Sequence, residues 1–147
     1  MMKFLWIFSV LTFTLCHANE IRANVTAVST TGTSGAYTFS VTLKSDETGC
    51  AQYADWWEVL DHKGDDLLYR RILVHSHPDT QPFTRSGGKL NIKADEIVYV
   101  RAHMNKLGYV GDVFKGSVAK GFSRVETTPV FKKELEKQAP LPRGCAF

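Results

Sequence analysis

Tyr37-Thr38-Phe39-Ser40-Val41-Thr42-Leu43 alternates without a break, with Phe39, Val41 and Leu43 on one side and Thr38, Ser40 and Thr42 on the other. Successive side chains of an extended chain point to opposite faces, so this stretch reads as an antiparallel strand with one face in a core and one in water. The same pattern recurs outward from it. Ile21 to Val28 is rich in β-formers and is followed by a polar loop, residues 29–35. Asp55–Leu60 and Leu67–Val74 flank Asp61-His62-Lys63-Gly64-Asp65, which is hairpin chemistry. Lys89–Ile92 forms a short strand after Gly87-Gly88. Ile97–Met104 then turns Val98, Val100 and Ala102 inward and Tyr99, Arg101 and His103 outward, and Tyr109–Val118 follows the turn Asn105-Lys106-Leu107-Gly108. Seven short strands at this spacing predict an all-β, antiparallel β-sandwich over residues 19–118.

Residues 119–147 are expected to be an irregular tail, with two helical turns at Phe131–Gln138 and then Pro140, Pro142 and Gly144 breaking regular structure. The composition of the 147 residues, 44% hydrophobic and 22% charged, belongs to a globular chain and not to a disordered one. A net charge of +3 gives no clustered basic surface, so nucleic acid is not an expected partner.

The opening segment carries one positive side chain, Lys3, then an uncharged and mostly apolar run from Phe4 to Cys16, then Cys16-His17-Ala18. That order predicts a secretory signal peptide over residues 1–18, too short for a stable membrane span. Lipid attachment at Cys16 is not expected, because Leu15 is larger than the small residue such a processing site takes. The expected location is periplasmic or secreted. Asn24-Val25-Thr26 is a glycosylation sequon that has meaning only in a eukaryotic secretory route. Once Cys16 leaves with the leader, Cys50 and Cys145 remain, and an even pair in an oxidising compartment predicts a disulfide pinning the tail. Thiolate metal ligation is the rival reading of the same pair.

Ile97-Val98-Tyr99-Val100-Arg101-Ala102 with the later Gly108-Tyr109 resembles the penultimate strand and following turn of fibronectin type III and other immunoglobulin-like domains. The resemblance implies an immunoglobulin-like sandwich with Trp57 as the core tryptophan of its third strand. Tyr53-Ala54-Asp55-Trp56-Trp57-Glu58-Val59-Leu60-Asp61, together with the run from His75-Ser76-His77-Pro78-Asp79 to Arg85, is similar to a group of small exported bacterial proteins without an established activity. That similarity implies a periplasmic origin and carries no mechanism.

In an extended chain His75, His77 and Asp79 share a face, and Pro78 biases His77 toward that state. Immunoglobulin-like topology would bring His103 to the same pole, with Asp46 and Glu47 as further carboxylates. His75, His77, His103 and Asp79 are therefore the candidate metal ligands, for copper or zinc. Trp56 and Trp57 face opposite sides of one strand, so one belongs in the core and Trp56 must be exposed, covered by the tail or part of a contact surface. Trp56 and Tyr53, with Arg85 and Arg101 as anion-binding forks, form the candidate binding surface, while Arg85 is also a candidate partner for Asp55 or Glu58. Catalytic motifs such as Gly-x-Ser-x-Gly or His-Glu-x-x-His do not occur. The expectation is a non-catalytic exported binding module taking a metal ion, with an envelope protein–protein interaction domain as the alternative and a metal-dependent hydrolase ranked last.

Overall fold

The computed structural model describes residues 20–126 and 131–146. The expected leader, residues 1–18, lies outside them. The fold is all-β: β1 (Ala23–Thr31), β2 (Tyr37–Ser45), β3 (Ala54–Leu60), β4 (Leu67–Ile72), β5 (Phe83–Leu90), β6 (Val98–Met104), β7 (Val113–Ser117) and β8 (Gly121–Val125), then one short 3₁₀ helix at Lys133–Lys137. A three-stranded sheet runs β1-β2-β5 and a five-stranded sheet runs β4-β3-β6-β7-β8, with every pair antiparallel.

The alternation in β2 works as read. Phe39, Val41 and Leu43 are completely buried and join Trp57 and Val59 of β3 and Val98, Val100 and Met104 of β6 in one core drawn from both sheets. Phe39 meets Phe122 of the other sheet edge to face, ring centroids 5.6 Å apart. The opposite face of β2 is a hydroxyl ladder, with Ser40 bonded to Ser86 at 2.7 Å and Thr42 to Thr84 at 2.8 Å. The β3–β4 hairpin closes on Asp61, whose Oδ1 accepts the Asp65 and Asp66 N–H groups, while Gly64 takes the left-handed φ of 73°. Glycine enters that region without the Cβ penalty other residues meet.

Three strand expectations change. β1 runs on through Thr31, because Ser29 and Thr30 find register partners in Ser40 and Phe39, so the polar loop starts later than composition suggests. The segment from Phe83 to Arg85, which precedes the strand expected at Lys89–Ile92, opens β5: Phe83 pairs with Leu43 and turns inward, and the strand continues through Gly87 and Gly88. The eighth strand lies inside the expected tail, where Gly121–Val125 pairs with β7 after a tight turn. Among the described residues of the tail five are helical, as a 3₁₀ turn with Leu135 buried, flanked by a turn at 131–132 and a bend at 138–140.

The predicted disulfide forms. Cys50 and Cys145 are joined, Cα atoms 5.5 Å apart, which excludes the thiolate-ligand reading for this state. The bridge fastens residues 131–146 as a strap over the outer face of the five-stranded sheet.

Candidate functional site

Strand register lines up the polar groups beneath the strap. Arg70, Glu58 and Arg101 are direct neighbours across β4, β3 and β6, and Trp56 lies opposite His103 one row along. Glu58 is completely buried, and its carboxylate accepts from Arg70 Nε at 2.8 Å, Arg101 Nε at 2.8 Å and Trp56 Nε1 at 3.0 Å. Two guanidiniums around one carboxylate leave surplus donors, and the strap supplies the acceptors. Arg70 donates to the carbonyls of Leu135, Gln138 and Pro140, and Arg101 to those of Phe131 and Lys132. Arg101 also lies 3.4 Å from the centre of the Tyr109 ring. Burial, and then the Glu58 carboxylate, push the Tyr109 hydroxyl well above its ordinary range, so it stays protonated.

This arrangement corrects the expectation of an open binding surface and matches the alternative reading in which the tail covers Trp56. Trp56, Tyr53 and Arg101 are buried, with Trp56 only 3% exposed, because the strap covers the face that strand alternation turns outward. Arg85 is half-buried and reaches neither Asp55 nor Glu58; it donates to His77 Nε2 at 2.6 Å and to the Thr84 carbonyl. Glu58 takes Arg70 and Arg101 instead.

Beside the ionic row, Asp55, His103 and Glu136 stand in a line. His103 Nδ1 is 2.6 Å from Asp55 Oδ1, and its ring stacks on Trp56 at 3.5 Å between centroids. Its Nε2 is 3.6 Å from Glu136 Oε1, a buried oxygen with no hydrogen-bond partner among the described residues. Burial raises the Asp55 pKa, opposed in part by the bond to His103. Burial likewise raises that of Tyr53, helped by the charges of Asp55 and Glu47. These groups floor a cleft of about 720 Å³ whose walls include Leu107 and Leu141. The arrangement sets the His103 ring between two carboxylates and presents aromatic and apolar surface to a ligand.

The four proposed metal ligands do come to one pole in part. His75 and His77 have ring centroids 4.5 Å apart. His77 is buried, stacks on Phe83 at 3.9 Å, and its backbone N–H donates to Glu47. Burial and then the neighbouring Arg85 cation lower its pKa, which keeps the ring neutral near pH 7. With Nε2 accepting from Arg85, the ring proton sits on Nδ1, 3.9 Å from Glu47 Oε2. Nε2 of His77 is thus committed to Arg85, while Nδ1 is buried without a hydrogen-bond partner among the described residues. His103 is held by Asp55 and Trp56, and Asp79 is exposed. Among the described residues no three His, Cys, Asp or Glu side chains converge as a metal-holding group.

Sequence reading missed Glu58, Arg70, Asp55 and Glu136 as members of one cluster. The signal was available for one of them: Glu58 shares strand parity with Trp56, as Arg101 does with His103, so a charge pair on the outward face was legible.

No family model matches the chain, and no solved structure matches it. It is 41% identical over 104 residues to a protein of Halomicrobium mukohataei named "Putative lipoprotein"; the match covers 70% of this chain and 51% of that protein. The chain therefore spans about half the length of the curated relative it matches.

Proposed function

We propose that this chain is the β-sandwich domain of an exported, envelope-associated protein, and that it works as a non-catalytic binding module whose ligand enters the cleft between the five-stranded sheet and the 131–146 strap. The observation that carries the reading is the cleft itself, about 720 Å³, closed by a strap that the Cys50–Cys145 bridge fastens. A disulfide of this kind belongs to an oxidising compartment, and the relative's name, a lipoprotein, supports the same location. The immunoglobulin-like reading is supported by strand order, β4-β3-β6-β7 facing β1-β2-β5. A binding role is favoured over catalysis because Asp55 and His103 at the cleft floor are bonded to one another and the nearby Glu58 carboxylate is taken up by Arg70, Arg101 and Trp56.

The test has two arms. Cells expressing the full chain are treated with a thiol-blocking reagent before lysis, and the Cys50–Cys145 bridge is expected in the envelope or secreted fraction. Purified protein is then screened by thermal shift against glycans, peptides and lipophilic anions. A hit is expected to lose its effect in Leu141→Trp, which fills the cleft mouth. A chain that stays reduced in the cytosol refutes the location, and hits indifferent to Leu141→Trp refute the cleft.

A second reading keeps a transition metal at the same pole, supported by the 4.5 Å approach of the His75 and His77 rings. It requires Arg85 to leave His77 Nε2. Calorimetric titration with copper and zinc, beside the His75→Ala/His77→Ala variant, decides it: equal heats in both proteins end the metal reading.

A further inference from the structure

One carboxylate of the strap is buried at its tip without a donor. Glu136, on the 3₁₀ turn Lys133–Lys137, has a side chain 25% exposed, yet its Oε1 is buried and has no hydrogen-bond partner among the described residues. The oxygen lies in a notch made by Gly108. Gly108 and Met104 exchange two backbone hydrogen bonds, each 2.9 Å, which fixes Gly108 against the end of β6, next to His103. Its φ of 76° suits glycine, and a Cβ there would stand 2.4 Å from Glu136 Oε1. The missing side chain is the room the carboxylate occupies.

His103 Nε2 stands 3.6 Å from the same oxygen, longer than a made hydrogen bond. The ring is fixed at its other nitrogen, with Nδ1 2.6 Å from Asp55 Oδ1, and by its stack on Trp56. What Nε2 offers Glu136 therefore depends on one proton. With Asp55 ionised and His103 neutral, the ring proton sits on Nδ1 and Nε2 turns a lone pair toward Oε1. With one proton more on the pair, either His103 is an imidazolium or Asp55 is protonated and the ring takes its other tautomer. In both cases Nε2 bears an N–H that can donate to Glu136. A buried carboxylate oxygen facing a lone pair is costly, and one facing an N–H is satisfied.

The remaining groups around His103 leave that proton to the pair. From β4, the Arg70 guanidinium lies over the Trp56 ring at 4.4 Å, and on β6 Arg101 has the same parity as His103; both are taken up by Glu58. Tyr109 meets the His103 ring edge-on at 5.0 Å. Burial is the first cause that raises the Tyr109 and Tyr53 hydroxyls, so both stay protonated near neutrality. Lys106 of the preceding turn and Lys133 and Lys137 of the strap also line the cleft, as exposed side chains.

We propose that Glu136 is a proton-operated plug of the cleft: a proton gained by the Asp55–His103 pair seats its carboxylate in the Gly108 notch, and loss of that proton releases it. His103 and Gly108 both line the cleft, so release adds the imidazole edge and the notch to the space a ligand can enter. The pocket is plugged on the acidic side and deeper on the alkaline side. Arg70 keeps its bond to the Leu135 carbonyl throughout, since the Glu136 side chain alone moves. The inference deepens the binding-cleft reading and rests on it only for what enters; the plug itself is tested on the protein without a ligand.

The full chain, purified with its disulfide intact and labelled with carbon-13 and nitrogen-15, is titrated by NMR from about pH 5 to about pH 8, the range in which imidazole changes charge. The His103 ring nitrogens and the Glu136 carboxyl carbon are expected to shift with one common midpoint. Nuclear Overhauser contacts from the Glu136 side chain to Gly108 and to the His103 ring are expected on the acidic side and should fade on the alkaline side. Glu136→Gln keeps the volume and is expected to weaken proton binding at His103 about tenfold, the effect of withdrawing an opposite charge at this range. His62, exposed in the β3–β4 turn, should keep its midpoint in the variant. Glu136 contacts that do not change across the titration overturn the inference, and they are read on the parent protein. So does a His103 midpoint that differs by less than about twofold in proton affinity between parent and Glu136→Gln. Neither measurement contains a ligand, so their failure is distinct from failure of the cleft reading, which the Leu141→Trp comparison decides.

Discussion

Replacing Glu58 by Gln tests what holds the strap down. The carboxylate accepts from Trp56 Nε1 at 3.0 Å, from Arg70 Nε and Nη2 at 2.8 and 2.6 Å, and from Arg101 Nε at 2.8 Å, all in a site with essentially no solvent exposure. Glutamine keeps the volume and one acceptor oxygen, but its amide N–H₂ must face a guanidinium, and two buried cations lose their counter-charge. Breaking a buried pair by removing one partner costs about 3–5 kcal/mol, because the charge left behind is uncompensated. For a domain of this length that is a fall in Tm of roughly 10–20 °C. Equilibrium urea unfolding of Glu58→Gln against the parent, with hydrogen exchange at 131–140, measures both the loss and its location. Exchange should accelerate in the strap first, since Arg70 and Arg101 carry its carbonyls. A loss below about 1 kcal/mol, with strap exchange unchanged, would mean that the strap carbonyls alone anchor the two arginines and that the carboxylate is dispensable.

Cys50→Ser/Cys145→Ser opens a loop with a sequence separation of 95 and should lower stability by up to about 4–5 kcal/mol in the chain-entropy picture, read as an earlier urea midpoint that the parent reproduces in reductant. His77 is held neutral by a pKa below its ordinary 6.5, so its share of stability is fully present above that value and is lost as pH falls toward the folded pKa. His77→Gln should therefore flatten the decline in Tm between pH 7 and the acidic side, and an unaltered profile would place the titration elsewhere. Gly111→Ala should destabilise by about 2 kcal/mol or more, because a Cβ there would stand 2.0 Å from the Ala23 carbonyl oxygen. A thermal melt within a degree of the parent would show that β1 can move aside.

The sandwich was legible because period-two alternation survives wherever one face of a strand meets the core, as in Tyr37–Leu43 and Ile97–Met104. The strands that escaped lack that contrast. β5 contains Ser86-Gly87-Gly88, and Gly87 has no side chain because Tyr69 and Arg71 of the facing sheet occupy the space. β8 offers Gly-Phe-Ser-Arg-Val, whose one strong apolar contact, Phe122 on Phe39, crosses to a strand more than 80 positions away. The histidine pole was half legible. Local spacing placed His75 beside His77, but nothing local announces that Arg85 takes Nε2. The outer face of the five-stranded sheet was legible in part: coverage of Trp56 by the tail was among the readings and holds, but alternation leaves Glu58, Arg101 and His103 on the solvent side, and the buried ion row that the tail seals was missed.

The sulfur bridge also governs how the domain would respond to tension. A pull applied between Glu20 and Ala146 travels through residues 20–50 and then crosses directly from Cys50 to Cys145. Everything from 51 to 144 hangs as a closed ring that cannot lengthen the chain. The most the ends can separate is the reach of about 30 residues, roughly 100 Å, drawn from peeling β1 and β2 off the three-stranded sheet. The load meets the cleft beneath the strap only at its Cys50 and Cys145 wall and bypasses the strands of the five-stranded sheet, so a stretched molecule surrenders one sheet before the other.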